Sequence, residues 1–266
     1  MEISPEFSTL AVALSIPLLA ALVVDPLAGG RMYRRLERSR DHDSRALSRF
    51  YWRIIGLEWV CAALIAGIIA VSPGAAPSDF GLALPGLSLE LPVEPSEIAG
   101  AAVGLLFAGA IFWFVLRKIG TPFIDGFLAL QRAGLDGFKA MLPRTAGERR
   151  LGVAVSVTAG ICEELIYRGF LIAFGTGVLG LNPYVAGGLA ALLFGAAHLY
   201  QGWPGMIRVT CFGILMTALY LRTGSLLIPI AIHAIGDIVS LVVMPRLLHI
   251  DRPGVHGKSA QTAEVS

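Results

Sequence analysis

Long apolar segments are the feature of this sequence that most limits what it can fold into. A helix that crosses about 30 Å of hydrocarbon needs about 20 mostly apolar residues. Six or seven stretches approach this requirement, namely residues 7–24, 54–71, 98–116, 151–174, 184–199, 204–221 and 226–247. Hydrophobic residues make up 55% of the 266 residues and charged residues only 15%, whereas soluble domains carry about 25% charged residues. The sequence therefore predicts an all-α fold, a polytopic transmembrane helical bundle of about six to eight helices in the cell membrane.

Basic residues are concentrated in two stretches between the apolar segments. Residues 31–53 contain eight arginines and residues 117–150 contain seven lysines or arginines, whereas residues 72–97 contain none. Cytoplasmic loops of membrane proteins are enriched in Lys and Arg, so we expect both basic loops in the cytoplasm and the N-terminus outside. Residues 123–135 suit either a helix at the cytoplasmic interface or an ordinary loop. The net charge of +2 gives no basic face of the kind that binds nucleic acid.

Several apolar segments contain side chains that a passive membrane helix would not tolerate. A charge near the middle of the bilayer costs about 2.5–3.5 kcal/mol on insertion scales, so it normally faces a partner or a wet cavity. Glu58, beside Trp59 in the second segment, is interpreted as a structural or lipid-interface residue. The others cluster in the C-terminal half and comprise Glu163, Glu164, Arg168, His198, His233 and Asp237. This cluster predicts a functional site between the C-terminal helices.

Helical spacing separates the two adjacent glutamates. Residues four apart stack on one helix face, and Glu before Arg is the favourable order, so we expect a buried ion pair between Glu164 and Arg168. Glu163 points about 100° away and has no counter-charge on its own helix. A desolvated carboxylate of this kind suits a general base. Glu163 is therefore the predicted catalytic carboxylate.

Two further pairs have the same four-residue spacing. A hydrogen bond between His233 and Asp237 would fix the tautomer of the imidazole, and Phe194 would pack beneath His198. Taken alone, each histidine could equally well form only an interhelical hydrogen bond. Residues 175–180 match the letters of the nucleotide-binding pattern GxGxxG, but no strand precedes them, so we interpret them as a connector.

Three short motifs in order resemble the CPBP (Abi) family of intramembrane proteases, which includes the type II CAAX prenyl endopeptidases. The family pattern is Glu-Glu-x-x-x-Arg, then Phe-x-x-x-His, then His-x-x-x-Asn or Asp. The chain carries Glu163-Glu164-Leu-Ile-Tyr-Arg168, Phe194-Gly-Ala-Ala-His198 and His233-Ala-Ile-Gly-Asp237. Asp237 stands where the prenyl endopeptidases have Asn. The resemblance predicts three parts: N-terminal transmembrane helices with basic loops (1–147), a catalytic core (148–247) and a polar C-terminal tail (248–266).

The resemblance implies an intramembrane endopeptidase that acts on a membrane-embedded or lipidated substrate, such as a prenylated CAAX-type protein. In the expected mechanism, Glu163 is the general base that activates a water molecule, and His198 assists it. His233, positioned by Asp237, stabilises the oxyanion. Glu163, His198, His233 and Asp237 would also suit a divalent metal such as zinc with one open position, although no HExxH helix is present. A metalloprotease and a metal-free glutamate protease therefore both remain open.

Two other classes of protein fit the same composition. A membrane scaffold would bind a partner transmembrane helix without cutting it, and a small transporter would use the same carboxylates and histidines as a proton relay. Transporters usually contain paired halves with interrupted helices, and this sequence has no such internal symmetry. The scaffold is therefore the main alternative, and the oligomeric state stays open.

Overall fold

The structure, a computed structural model, describes residues 5–84 and 137–247. Within these ranges the secondary structure is helical, apart from one isolated bridge between Glu6 and Gly74. Three sequence predictions lie outside the described residues: the apolar segment 98–116, the interfacial segment 123–135 and the polar tail 248–266.

Residues 5–84 form two long helices, α1 (Thr9–Ser39) and α2 (Ala46–Ala70). Ser8 caps α1, because its hydroxyl accepts a hydrogen bond from the backbone N–H of Ala11. Both helices are longer than their apolar segments and include part of the first basic stretch. Arginine is a good helix former, so the change from apolar to basic residues does not end either helix.

The C-terminal half contains four more helices. They are α3 (Ala146–Glu164), α4 (Pro183–Ala197), α5 (Gly202–Thr223) and α6 (Leu227–Ile238). Helix α3 continues through a π-helical turn (Leu165–Phe170) to Gly177. Helix α6 continues through a second π-helical turn (Val239–Val243) to Leu247. A capping box between Thr145 and Glu148 fixes the start of α3. The π-helical turns follow directly on Glu164 and Ile238, and such turns are frequent at functional sites.

Four helical stretches of the described part are long and apolar enough to cross a membrane, namely Thr9–Ser39, Ala46–Ala70, Leu199–Thr223 and Leu227–Leu247. The apolar helix α4 is shorter, at 15 residues. Large apolar side chains such as Leu27, Val60 and Ile207 are exposed on the outside of these helices, as expected of side chains that face lipid. The predicted all-α membrane bundle is confirmed.

Helix α3 lies in the centre of the C-terminal half, where it packs against α2 and α6, while α4 packs against α5 and α1 against α2. Two apolar clusters hold these helices together. One surrounds Phe170 and Phe194, and the other surrounds Tyr51 and Leu241. Both clusters contribute to the walls of one cavity, in which the predicted site residues meet.

Candidate active site

A cavity of about 330 Å³ is enclosed by side chains from α2, α3, α4, α5 and α6. All four predicted catalytic side chains line it: Glu163, His198, His233 and Asp237. Its walls also include apolar side chains such as Phe138, Val155 and Phe212. The cavity thus combines a few convergent polar groups with an apolar lining, which is typical of binding and catalytic sites.

A close approach of α3 and α6 brings the glutamates and His233 together. A Cβ atom added to Gly160 would lie only 2.9 Å from the backbone N and from the Cβ of Ala234. Gly160 lies one turn before the glutamates on α3, and Ala234 follows His233 on α6. Only a residue without a side chain therefore fits at position 160 while His233 remains within reach of α3.

The carboxylate of Glu164 joins two helices. Its Oε1 accepts hydrogen bonds from Nη1 of Arg168 at 3.0 Å and from Nδ1 of His233 at 2.7 Å. All three side chains are buried. The predicted ion pair between Glu164 and Arg168 is present, but Glu164 also holds the imidazole of His233. Sequence spacing gave no signal for this second contact, because the partner lies on another helix.

The predicted hydrogen bond between His233 and Asp237 is wrong. Nε2 of His233 lies 3.8 Å from Oδ2 of Asp237, which is beyond hydrogen-bond distance. Nδ1 already donates to Glu164, so Asp237 acts on the ring only through its charge. The side chain of Asp237 is 45% exposed, whereas that of Glu164 is fully buried, and the buried carboxylate is the one that orients the ring.

The guanidinium of Arg168 is fully buried, and its positive charge is stabilised by three contacts. Besides Glu164, it contacts the carbonyl oxygen of Gly213, to which Nη2 donates at 3.0 Å. Its Cζ lies 4.5 Å from the centre of the Phe194 ring, a cation–π arrangement. A Cβ at Gly213 would come within 3.2 Å of Nη2 and 3.0 Å of the Phe194 ring, so any side chain there would require these groups to shift.

His198 follows the last residue of α4 and is fixed from within its own segment. Its Nδ1 lies 2.9 Å from the carbonyl oxygen of Phe194. Because a carbonyl can only accept, Nδ1 donates, and Nε2 is then the acceptor of the neutral ring. The rings of Phe194 and His198 are 4.9 Å apart, so the predicted packing is present. Phe194 also contacts His233, at 5.8 Å between ring centres.

Glu163 presents a free acceptor to the cavity. Its Oε2 is buried and has no hydrogen-bond partner among residues 5–84 and 137–247. The same atom lies 3.6 Å from Nε2 of His233. The side chain is 18% exposed. Glu163 thus has an oxygen available to a small molecule in the cavity.

Glu58 lines the same cavity, although the sequence placed it outside the site. Its Oε2 is buried and has no hydrogen-bond partner in the described part of the chain. The residue lies on α2, more than a hundred positions before Glu163. The sequence did contain one signal for a functional role of Glu58, because an unpaired acid in the middle of an apolar helix is costly. No spacing rule, however, connects Glu58 to the other motifs.

The predicted metal ligands do not form a metal centre. Among the side chains that the structure describes, no three His, Cys, Asp or Glu come together in a way that could hold a metal ion. Nδ1 of His198 is engaged by Phe194 and Nδ1 of His233 by Glu164. These contacts leave Nε2 of both rings free, so a bound metal stays a prediction, and the mechanism proposed below uses none.

Comparison with known proteins identifies the part of the chain that contains this site. Residues 147–239 match the family model described as type II CAAX prenyl endopeptidase Rce1-like. A search of curated proteins and a search of solved structures each gave no match. The matched residues cover α3 to α6 and include Glu163, His198, His233 and Asp237. We call residues 147–239 the Rce1-like domain after this match, which supports the relationship to the CPBP family of intramembrane proteases that the three motifs predicted.

Proposed function

We propose that the Rce1-like domain hydrolyses a peptide bond of a membrane-associated substrate within the bilayer, with Glu163 as the catalytic base. The observation that carries the proposal is the meeting of Glu163, His198 and His233 at one cavity, where Oε2 of Glu163 has no partner among the described residues. Each side chain comes from a different helix, so the arrangement is a product of the fold. Its position between apolar helices supports a reaction at membrane depth.

In the proposed mechanism, a water molecule lies between Glu163 and His198. It donates one hydrogen to Oε2 of Glu163 and the other to Nε2 of His198, which accepts because Nδ1 donates to Phe194. Glu163 takes the first proton as the water oxygen attacks the carbonyl carbon. General-base catalysis of this kind contributes roughly 10²–10⁴ to a rate.

His233 is the proposed oxyanion donor. Glu163, Glu164 and Asp237 all have a carboxylate oxygen within 4 Å of its ring nitrogens. Three carboxylates around one imidazole stabilise a positively charged ring, so that Nε2–H donates to the substrate oxygen as negative charge develops. Glu164 orients the ring through Nδ1, and Asp237 contributes its charge from 3.8 Å.

The proposed substrate is an extended peptide that enters from the membrane, such as a lipidated, prenylated CAAX-type C-terminus. The family relationship supports this class, and the apolar walls of the cavity at Phe138, Val155 and Phe212 suit a substrate delivered from lipid. We also propose that the protein lies in the plasma membrane with its N-terminus outside. Aqueous labelling of a His42→Cys variant, from either side of sealed cells, tests this orientation.

The proposal is tested with purified protein in lipid vesicles and a fluorescence-quenched prenylated peptide. Glu163→Gln, His198→Ala and His233→Ala should each reduce kcat by about 10²-fold or more, while Glu37→Gln, on the exposed face of α1, should not. If all three variants insert normally and keep near-normal turnover, the proposed protease function is wrong. The protein is then better described as a scaffold that binds a transmembrane helix without cutting it.

Removal of metal tests the choice of a glutamate-type mechanism. Because the described side chains do not assemble a metal centre, we expect a chelator to leave hydrolysis unchanged. Elemental analysis of the active protein should give substoichiometric metal. A loss of activity that is restored by added zinc would establish a metalloprotease instead.

A further inference from the structure

Glu58 occupies a position where an apolar helix has no structural need for an acid. It is the central residue of the 25-residue helix α2. Its neighbours Leu57 and Trp59 are exposed on the outside of the helix, at 58% and 49%, whereas Glu58 points inward to the cavity. It also lies outside the residues that match the Rce1-like family model.

The surroundings of Glu58 give its carboxyl group no counter-ion. No salt bridge to Glu58 is present among the described residues, and its Oε2 is buried without a hydrogen-bond partner there. Two other acids, Glu163 and Asp237, line the same cavity, and Arg208, which also lines it, forms no salt bridge with Glu58. Glu163, by contrast, has Nε2 of His233 within 3.6 Å.

Two carboxyl groups in one low-dielectric cavity do not both ionise readily, and the one without a cation nearby keeps the proton. Glu163 and Glu58 therefore differ in role although they share the cavity. Glu163, next to the imidazole of His233, is the carboxylate. The same reasoning favours the protonated form for Glu58, whose proton would then be available to whatever occupies the cavity.

Peptide hydrolysis needs such a proton. Water attack and proton transfer to Glu163 produce the tetrahedral intermediate, but the C–N bond breaks readily only when the amide nitrogen is protonated. We propose that Glu58 is a further catalytic residue, the general acid that protonates the leaving nitrogen. This inference rests on the proposed hydrolysis at the same site and adds a residue from the N-terminal half to it.

The proposed step balances without any other reactant. One proton of the water passes to Glu163 while the water oxygen bonds to the carbonyl carbon. The proton of Glu58 passes to nitrogen as the C–N bond breaks, which yields a carboxylic acid and a free amine. Glu163 then holds the extra proton and Glu58 the negative charge, and transfer of that proton through cavity water from Glu163 to Glu58 restores the starting state.

The leaving group provides the sharpest test. The peptide amide is compared with a nitrophenyl ester of the same peptide, whose leaving oxygen departs without protonation. For Glu58→Gln, kcat for the amide should fall about 10²-fold or more, with little change in KM, while kcat for the ester stays within about tenfold of wild type. Glu58→Asp, which keeps a carboxyl group, should recover part of the amide rate, and Glu37→Gln should affect neither substrate.

Glu163→Gln separates this inference from the proposed function, since it should slow both the amide and the ester. If wild type and Glu163→Gln behave as proposed but Glu58→Gln slows both substrates equally, or neither, Glu58 is not the general acid and the proposed hydrolysis still stands. If wild type cleaves neither substrate, the proposed function itself fails.

Thermal unfolding in detergent gives a readout that does not depend on turnover. Glu58→Met replaces an unpartnered acid by an apolar side chain of similar length, so the midpoint of unfolding should stay the same or rise. A clear fall in the midpoint for both Glu58→Met and Glu58→Gln would mean that Glu58 has a structural partner, and would overturn the inference.

Discussion

At the scale of single residues, the main feature of the site is that the adjacent side chains of Glu163 and Glu164 make different contacts. Oε1 of Glu164 accepts from both Arg168 and His233, and Glu164 is not among the residues that line the cavity, whereas Glu163 is. Glu163 keeps a buried oxygen without a hydrogen-bond partner among the described residues. Adjacent side chains of the same chemical type therefore have different roles, one that holds the site together and one that is free to react.

Glu164→Gln should act mainly on stability. The substitution leaves Arg168 buried beside a neutral amide, and the loss of one partner from a buried ion pair costs about 3–5 kcal/mol. Thermal melting in detergent measures the effect. Glu163→Gln is the matched control, and its midpoint should stay close to that of wild type. The opposite order, with early unfolding of Glu163→Gln and a stable Glu164→Gln, would reverse the two assignments.

At the scale of helices, the site depends on how closely α3 and α6 cross. The crossing places Gly160 against the backbone of Ala234, and it determines which carboxylate reaches the imidazole of His233. The π-helical turns that follow Glu164 and Ile238 lie next to this crossing. A small change in helix separation therefore changes the geometry of the proposed active site as well as the packing.

Gly160→Ala should separate α3 from α6. Its new methyl group would lie 2.9 Å from backbone and side-chain atoms of Ala234, and overpacking of this kind costs about 1–3 kcal/mol. We expect a lower unfolding midpoint and reduced kcat, because His233 moves away from Glu164. Gly67→Ala on α2 is the control, since a Cβ at Gly67 meets nothing within 4 Å. Equal effects of the two substitutions would show that the close crossing is not required.

At the scale of the whole molecule, a buried ion pair connects the N-terminal helices to the Rce1-like domain. Nη1 of Arg40, just after α1, lies 2.9 Å from Oε1 of Glu148 in the first turn of α3. Oε2 of Glu148 also accepts from the backbone N–H of Arg144 and of Thr145. Burial alone would raise the pKa of Glu148. The hydrogen bonds from Arg40 and from the two backbone N–H groups, together with the charge of Arg40, outweigh burial and lower the pKa below 4.5.

This pair should make stability depend on pH in a defined direction. A carboxyl group whose pKa is lowered in the folded state contributes stability above its unfolded pKa of about 4.3, and loses it as the pH falls through the folded pKa. Glu148→Gln should therefore lower the unfolding midpoint at pH 7, and the difference from wild type should shrink as the pH falls below about 4. Asp41→Asn, which removes the exposed pair with Arg144, should have little effect at any pH. A difference between wild type and Glu148→Gln that is independent of pH would contradict this account.

The sequence by itself determined those features that depend on neighbours within one helix. The ion pair of Glu164 with Arg168 and the packing of Phe194 on His198 follow from a four-residue spacing, because the helical backbone fixes the relative direction of such side chains. The apolar segments likewise predicted the membrane bundle, since a helix must satisfy its own backbone in lipid. The apolar pattern did not predict the helix ends, because α1 and α2 run on into basic residues that also favour a helix.

Only the tertiary structure decided which groups meet between helices. Spacing on α6 alone favoured Asp237 as the partner of His233, whereas Nδ1 of His233 donates to Glu164. Glu58 joined the site from a helix that shares no motif with it. The physical reason is that these contacts depend on the rotation and separation of packed helices, which the side chains at each crossing set together. At the crossing of α3 and α6, the missing side chain of Gly160 lets Ala234 approach, and no pattern within one segment records that approach.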